Sequence, residues 1–146
     1  MSNKPTMNLN HAPLPGIFRR LAAILYDGLL LLALIFVATA AITLPFGSPS
    51  GSMLLIFQFF IFEIIPLLFF TGFWTRGGQT LGMRAWRLKL VAMNGEKVGW
   101  QHAVKRHFAA LLSLLVFGLG FIWILVDREK LAWHDRLSQT RLVLVD

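Results

Sequence analysis

Three apolar runs divide the chain, at residues 21–44, 53–74 and 108–126. At about 1.5 Å rise per residue the first is about 36 Å long, enough to cross a hydrocarbon core of about 30 Å. The second, which contains Glu63 and Pro66, reads as a second crossing helix. Between them, residues 46–52 (FGSPSGS) form a short uncharged turn rich in Gly, Ser and Pro. The third run holds Gly118 and Gly120 around Leu119, which divide it into two short pieces. It reads either as a third span or as a re-entrant hairpin, a form that survives in lipid only when buried against protein.

Polar stretches flank the runs. Residues 1–18 lack periodicity and read as a flexible tail, leaving 19–146 as the membrane domain. Residues 84–100 read as strand, Asn94-Gly95 turn and strand, a hairpin cap, and 140–146 as a further short β-like run. The two regions form one sheet only if both lie on the same side of the membrane. The fold class is therefore all-α membrane protein: two full transmembrane helices, a third apolar segment, and a small cytoplasmic β-hairpin cap.

Composition agrees. Charged residues make up 14% of the chain and mean hydropathy is +0.65, whereas a soluble domain carries about 25% charged residues. The absence of cysteine excludes disulfides and thiolate chemistry. A net charge of +7 would suggest nucleic acid in a soluble protein. Here the basic residues flank apolar runs, so the expected partners are the bilayer and anionic lipid headgroups, with no nucleic acid.

Basic residues also set the expected orientation. Lys4, Arg19 and Arg20 precede the first run, seven lie in residues 75–107, and Arg128, Lys130, Arg136 and Arg141 follow the third, whereas residues 46–52 have none. The positive-inside rule places the N-terminus and the central stretch in the cytoplasm of a bacterial-type plasma membrane. Arg19-Arg20 before an apolar run resembles an export signal, but the run exceeds a signal-peptide core and Asp27 interrupts it, so a retained span is expected.

Asp27 and Glu63 are the informative polar positions, because a carboxylate inside a span costs about 2.5–3.5 kcal/mol on insertion scales. If both face one interior, with the carbonyl that Pro66 leaves free at Phe62, they compose a candidate cation or proton site. The competing reading is that such charges pin helices together: Arg20 against Asp127 or Asp135, and Asp27 against Arg106 or a backbone group. Arg84, Arg87 and Arg106 are candidate cytoplasmic basic contacts. GGQTLG at 77–82 lacks the GK[ST] ending of a phosphate loop and reads as a tight turn. His102, His107 and His134 read as interfacial or solvated, the tryptophans mostly as interfacial anchors. No metal site, cofactor site or catalytic arrangement is recognised, so an enzyme is not expected.

The fragments RRLAAILYD (19–27), GGQTLGMRAWRLKLV with its following NG (77–95), Arg106, and LVDREKLAWHDRLSQTRLVLV (125–145) together resemble the RDD family of small integral membrane proteins. The resemblance implies that the arginine and two aspartates of the family name are Arg20, Asp27 and Asp135, with Asp127 the alternative for the last. It also implies a loose association with transport. The functions expected are a transport component, proton-coupled for cations through the intramembrane carboxylates, or a non-transporting adaptor that assembles or regulates another membrane complex. Three segments enclose no pathway alone, so a homo-oligomer or a partner membrane protein is expected.

Overall fold

In a computed structural model that describes residues 12–145, the chain runs as helix α1 (Ile17–Phe46), α2 (Ser52–Arg76), α3 (Leu81–Ala85), strand β1 (Leu88–Ala92), α4 (Trp100–Leu115), α5 (Leu119–Ile122), a 3-10 turn (Trp123–Leu125), α6 (Trp133–Leu137) and strand β2 (Thr140–Leu144). α1 and α2 are long and apolar enough to cross a membrane. Pro45 lies in the last turn of α1, and Gly47 then ends the helix at φ 79°, its amide donating to the Thr43 carbonyl at 2.9 Å. α1 starts at Ile17, inside the stretch read as tail, and the Pro13 carbonyl accepts from the Leu144 amide at 3.1 Å. Residues 1–11 of that stretch lie outside the described residues.

Packing is confined to one end of the two long helices. α1 buries Arg20, Ala23, Asp27 and Leu31, a single stripe at helical spacing, and nothing beyond Leu31. The core proper gathers Ala23, Trp74, Met83, Leu88, Leu90, Val98, Ala103 and Leu142, where the long helices meet the sheet. The outer halves of α1 and α2 expose Phe36, Leu44, Phe46, Met53 and Leu55. Surface apolar all round suits lipid or another helix, since neither offers water to hold off.

The third apolar run is broken rather than continuous. α4 stops at Leu115, Phe117 and Gly118 take left-handed backbone (φ 58° and 71°), and the helical pieces either side are bent by 105°. Gly118 is the residue that adopts this conformation without a Cβ penalty. α5 then folds back on α4, so closely that a Cβ on Gly120 would run into the Ser113 hydroxyl.

The sheet differs from the expected hairpin. The Asn94-Gly95 turn forms, with Gly95 at φ 83°, but its far arm is not a strand. β1 pairs instead with β2, antiparallel, with Leu88 opposite Leu144 and Ala92 opposite Thr140. Burial decides this: Leu88, Leu90, Leu142 and Val143 are nearly inaccessible, so the apolar β2 displaces the more polar 96–99 arm as the partner. β1 precedes the third apolar run and β2 follows it, so that run leaves and returns to the same end of the molecule.

This register is open to a direct test. Val91→Cys with Arg141→Cys places two thiols at directly opposed positions, where Cα atoms about 4.5–5.5 Å apart suit a disulfide. Mild oxidation of the double variant should crosslink residues 91 and 141 within one chain, read as a protease-resistant link between N- and C-terminal fragments.

Candidate functional site

The centre of the molecule is the Asp135 carboxylate, fully buried at the start of α6. Its Oδ2 accepts from Arg20 Nη1 at 2.8 Å and from the Ala132 amide at 2.9 Å, and its Oδ1 accepts from Arg106 Nη1 at 2.5 Å. Residues from the beginning of α1, the middle of α4 and the C-terminal segment thus share one anion. Arg20 also donates from Nη2 to the Lys130 carbonyl at 2.9 Å. Arg106 donates to Thr140 Oγ1 at 3.0 Å and lies over the Trp74 ring, 5.3 Å from its centroid. Ser138 Oγ donates to the His134 carbonyl, so the bond between Ser138 and Thr140 must run from Thr140 as donor, which leaves Thr140 oxygen free to accept from Arg106.

Burial alone would raise the Asp135 carboxyl, but Arg106, Arg20 and the Ala132 amide outweigh it and hold the group well below the usual carboxylate range. His134 is shifted the same way for a different reason. Its ring is buried against Phe121, with centroids 4.6 Å apart, and desolvation together with the Arg106 charge lowers its pKa from 6.5 to about 3.

Asp127, the alternative partner for Arg20, is occupied elsewhere: it accepts from the Leu131 amide at 2.9 Å and from Arg136 Nη2 at 2.6 Å. Arg106 is not a basic contact to lipid. It is 4% exposed and committed to Asp135. The sequence does carry a signal for this, since Arg106 stands with Ala103 and Ser113 at helical spacing on the buried face of α4. Arg84 and Arg87 are exposed. Trp74 and His107 are core rather than interfacial groups, and His134 is buried too, because each meets a partner that only the folded chain supplies.

Asp27 is buried and meets the GGQTLG segment. Thr80 Oγ1 donates to its Oδ2 at 2.5 Å and the Gly82 amide to its Oδ1 at 2.8 Å. Thr80 is the N-cap of α3, accepting from the Met83 amide at 3.1 Å, so one hydroxyl both caps a helix and binds the carboxylate. A Cβ on Gly82 would run into the Ala23 carbonyl, which is why the backbone can approach α1 there. Gly78, at φ 71°, turns its carbonyl to the Leu90 amide (2.7 Å), and Gln79 Nε2 donates to the Leu88 carbonyl (2.7 Å), tying the same segment to β1. The segment is thus a receptor for Asp27 as well as a turn. A Gly-rich stretch followed by a threonine N-cap was the available signal for unpaired amides seeking an anion.

The structure does not join Asp27 to Glu63. Glu63, in the middle of α2, faces His107 on α4, with Oε1 and Nε2 3.1 Å apart. The Glu63 side chain is 21% exposed and that of His107 5%. Phe70 and Phe108 flank the imidazole, at 6.3 and 5.6 Å between centroids. Among the described residues no group of three His, Asp or Glu side chains is placed to hold a metal ion.

Comparison with known proteins places these features in a wider set. The model of a family described as "RDD family" matches residues 14–139. A protein of Bacillus subtilis (strain 168) described as "Uncharacterized protein YxaI" is 41% identical over 64 residues, which are 44% of this chain and 42% of that protein. The match therefore spans less than half the length of that relative. No solved structure matches the chain.

Two outcomes follow from the Asp135 site. Asp135→Asn should cost about 3–5 kcal/mol, measured by unfolding in detergent, because two buried guanidinium groups lose their counter-ion. Exchanging the charges, Arg20→Asp with Asp135→Arg, should not restore stability, since the new arginine would stand beside Arg106. The second outcome concerns pH. His134 stays neutral in the fold but titrates near 6.5 when unfolded, so stability should fall as pH drops below about 6.5, by about 2 kcal/mol at pH 5. The Asp135 contribution is fully present above about 3.8 and does not enter that window. Unfolding midpoints between pH 7.5 and 5 should therefore decline in the wild type and flatten in His134→Gln.

Proposed function

The chain belongs to the RDD family, and from that premise we propose that it is a transport component of a bacterial-type plasma membrane whose proton-exchanging pair is Glu63 with His107. The observation that carries this reading is the contact between a carboxylate in the middle of the apolar α2 and the imidazole of His107 on α4, at the edge of the third apolar run. An ionisable group at that depth is costly and marks a functional position by default. Asp27 and Asp135 are spent on structure, the first saturated by Thr80 and Gly82, the second by Arg20, Arg106 and the Ala132 amide. Glu63 instead keeps an exposed edge and faces a buried imidazole rather than a set of fixed donors.

The basic cap faces the cytoplasm in this reading, because the connection at residues 46–52 carries no Lys or Arg. The pathway is completed by other helices. α1 and α2 leave an open cleft of about 590 Å³ between their outer halves, where Thr39, Thr43 and Gln58 interrupt apolar walls. A second copy or a partner membrane protein at that cleft would enclose a route leading toward Glu63.

The second reading is a non-transporting adaptor, favoured by the rigid clamp of Arg20, Asp135 and Arg106 that holds the cap to the membrane helices. The two separate in reconstituted liposomes. A transporter gives pH-dependent flux of Na⁺, K⁺, Li⁺ or H⁺ above empty vesicles, abolished in Glu63→Gln and altered in its pH profile in His107→Gln, with insertion unchanged. Asp27→Asn should instead lower the unfolding midpoint, by placing an amide N–H₂ against the Thr80 and Gly82 donors. Absence of flux in the wild type, together with a stoichiometric co-purifying membrane partner, would transfer the assignment to the adaptor.

A further inference from the structure

The cap end of α2 carries a second polar feature that neither the clamp nor the Glu63 pair uses. Arg76, the last residue of α2, and Arg84, in α3, line one cavity of about 350 Å³ together with Gln79. Its remaining wall is apolar: Leu68, Phe69 and Phe73, with Gly72 between them on the final turns of α2. Gly72 leaves a notch, since a Cβ there would meet nothing within 4 Å. The cavity therefore has a cationic mouth at the charged end of a membrane helix and an apolar trough running back along it.

Both guanidinium groups are exposed, and among the described residues neither forms an ion pair. The described acids are committed elsewhere: Asp27 to Thr80 and Gly82, Glu63 to His107, Glu96 to Asn94, Asp127 and Glu129 to Arg136, and Asp135 to Arg20 and Arg106. The negative pole of α2 is also blunted near the mouth. The Phe73 and Trp74 carbonyls accept from the Gly77 and Gly78 amides, each at 3.1 Å. Gln79 is held by one amide N–H to the Leu88 carbonyl, and the two arginines are the charged donors at the mouth.

From this geometry we infer that Arg76 and Arg84 form a binding site for one anionic phospholipid, the phosphate held between the guanidinium groups and the upper acyl chain lying over Gly72 against Phe69 and Phe73. Guanidinium groups suit phosphate because they present paired donors in one plane. The alternation of a charged mouth with an apolar trough matches the two ends of a phospholipid, whereas a free anion would use the mouth alone. The site does not depend on the transport assignment, since an adaptor embedded in the same bilayer would hold the lipid equally well.

The test is a titration of the full chain in neutral detergent with dioleoyl-phosphatidylglycerol, followed by native mass spectrometry. One saturable lipid adduct is expected, and none with dioleoyl-phosphatidylcholine at the same concentrations. Arg76→Gln and Arg84→Gln should each raise the half-saturating concentration about fivefold, and the double variant about 25-fold. Gly72→Leu, which fills the trough and leaves both arginines in place, should weaken binding as well. Arg87→Gln, exposed but outside the cavity, should leave it unchanged. Equal adducts with the zwitterionic lipid, an equal loss in Arg87→Gln, full binding by Gly72→Leu, or complete competition by inorganic phosphate at matching concentration would each overturn the site.

Discussion

A carboxylate removed from water has to be matched by donors, and Asp135 is matched by two arginines and a backbone amide at once. Because the arginines come from α1 and α4 while the carboxylate sits on α6, satisfying this one group fixes where three distant parts of the chain meet. The same requirement positions the rest of the C-terminal segment. Thr140 is tied to Arg106 and opens β2, so the strand that pairs with β1 starts at the clamp. Were the counter-ions on one helix, no such constraint on topology would follow.

Asp27 works by the same physics about two turns deeper, with uncharged donors. A carboxylate there, seven residues beyond Arg20 on α1, finds a threonine hydroxyl and a glycine amide at the start of a short helix. The glycine is essential to the approach, since any side chain at position 82 would meet the α1 backbone. Arginine and both aspartates are thus used to join a cap to membrane helices that otherwise make few contacts with each other away from it. This division separates the structural acids from Glu63, which faces the His107 imidazole instead of a set of fixed donors.

The outer halves of α1 and α2 behave differently. They lack buried residues beyond Leu31 on α1 and N-terminal to Ile61 on α2, and they flank an open cleft. Apolar side chains there gain nothing from meeting one another rather than lipid, so without polar or small-residue contacts no force draws the helices together. A chain organised this way is packed where its charges are and open to other helices where its surface is mostly apolar.

Much of the architecture was legible in the sequence because it rests on local rules. The two crossing helices follow from runs of apolar residues, the turn at 46–52 from its glycines and proline, the interruption of the third run from its Gly118-Leu119-Gly120 centre, the importance of Asp27 from the cost of a charge within a span, and that of Arg20 and Asp135 from the resemblance to the RDD family. What the sequence left open were pairings between residues far apart in the chain. Asp127 remained an alternative to Asp135 as the partner of Arg20 until the fold presented only Asp135 to it. Arg106 carried the composition of a surface cation, and only its position on the buried face of α4 made it the second counter-ion. Residues 96–99 had the turn needed to pair with β1, yet the more apolar β2 took the place, because burial on both faces favours Leu142 and Val143. Local propensity specifies an element; which partner it takes is set by the free energy of burying and satisfying groups that only the folded chain brings together.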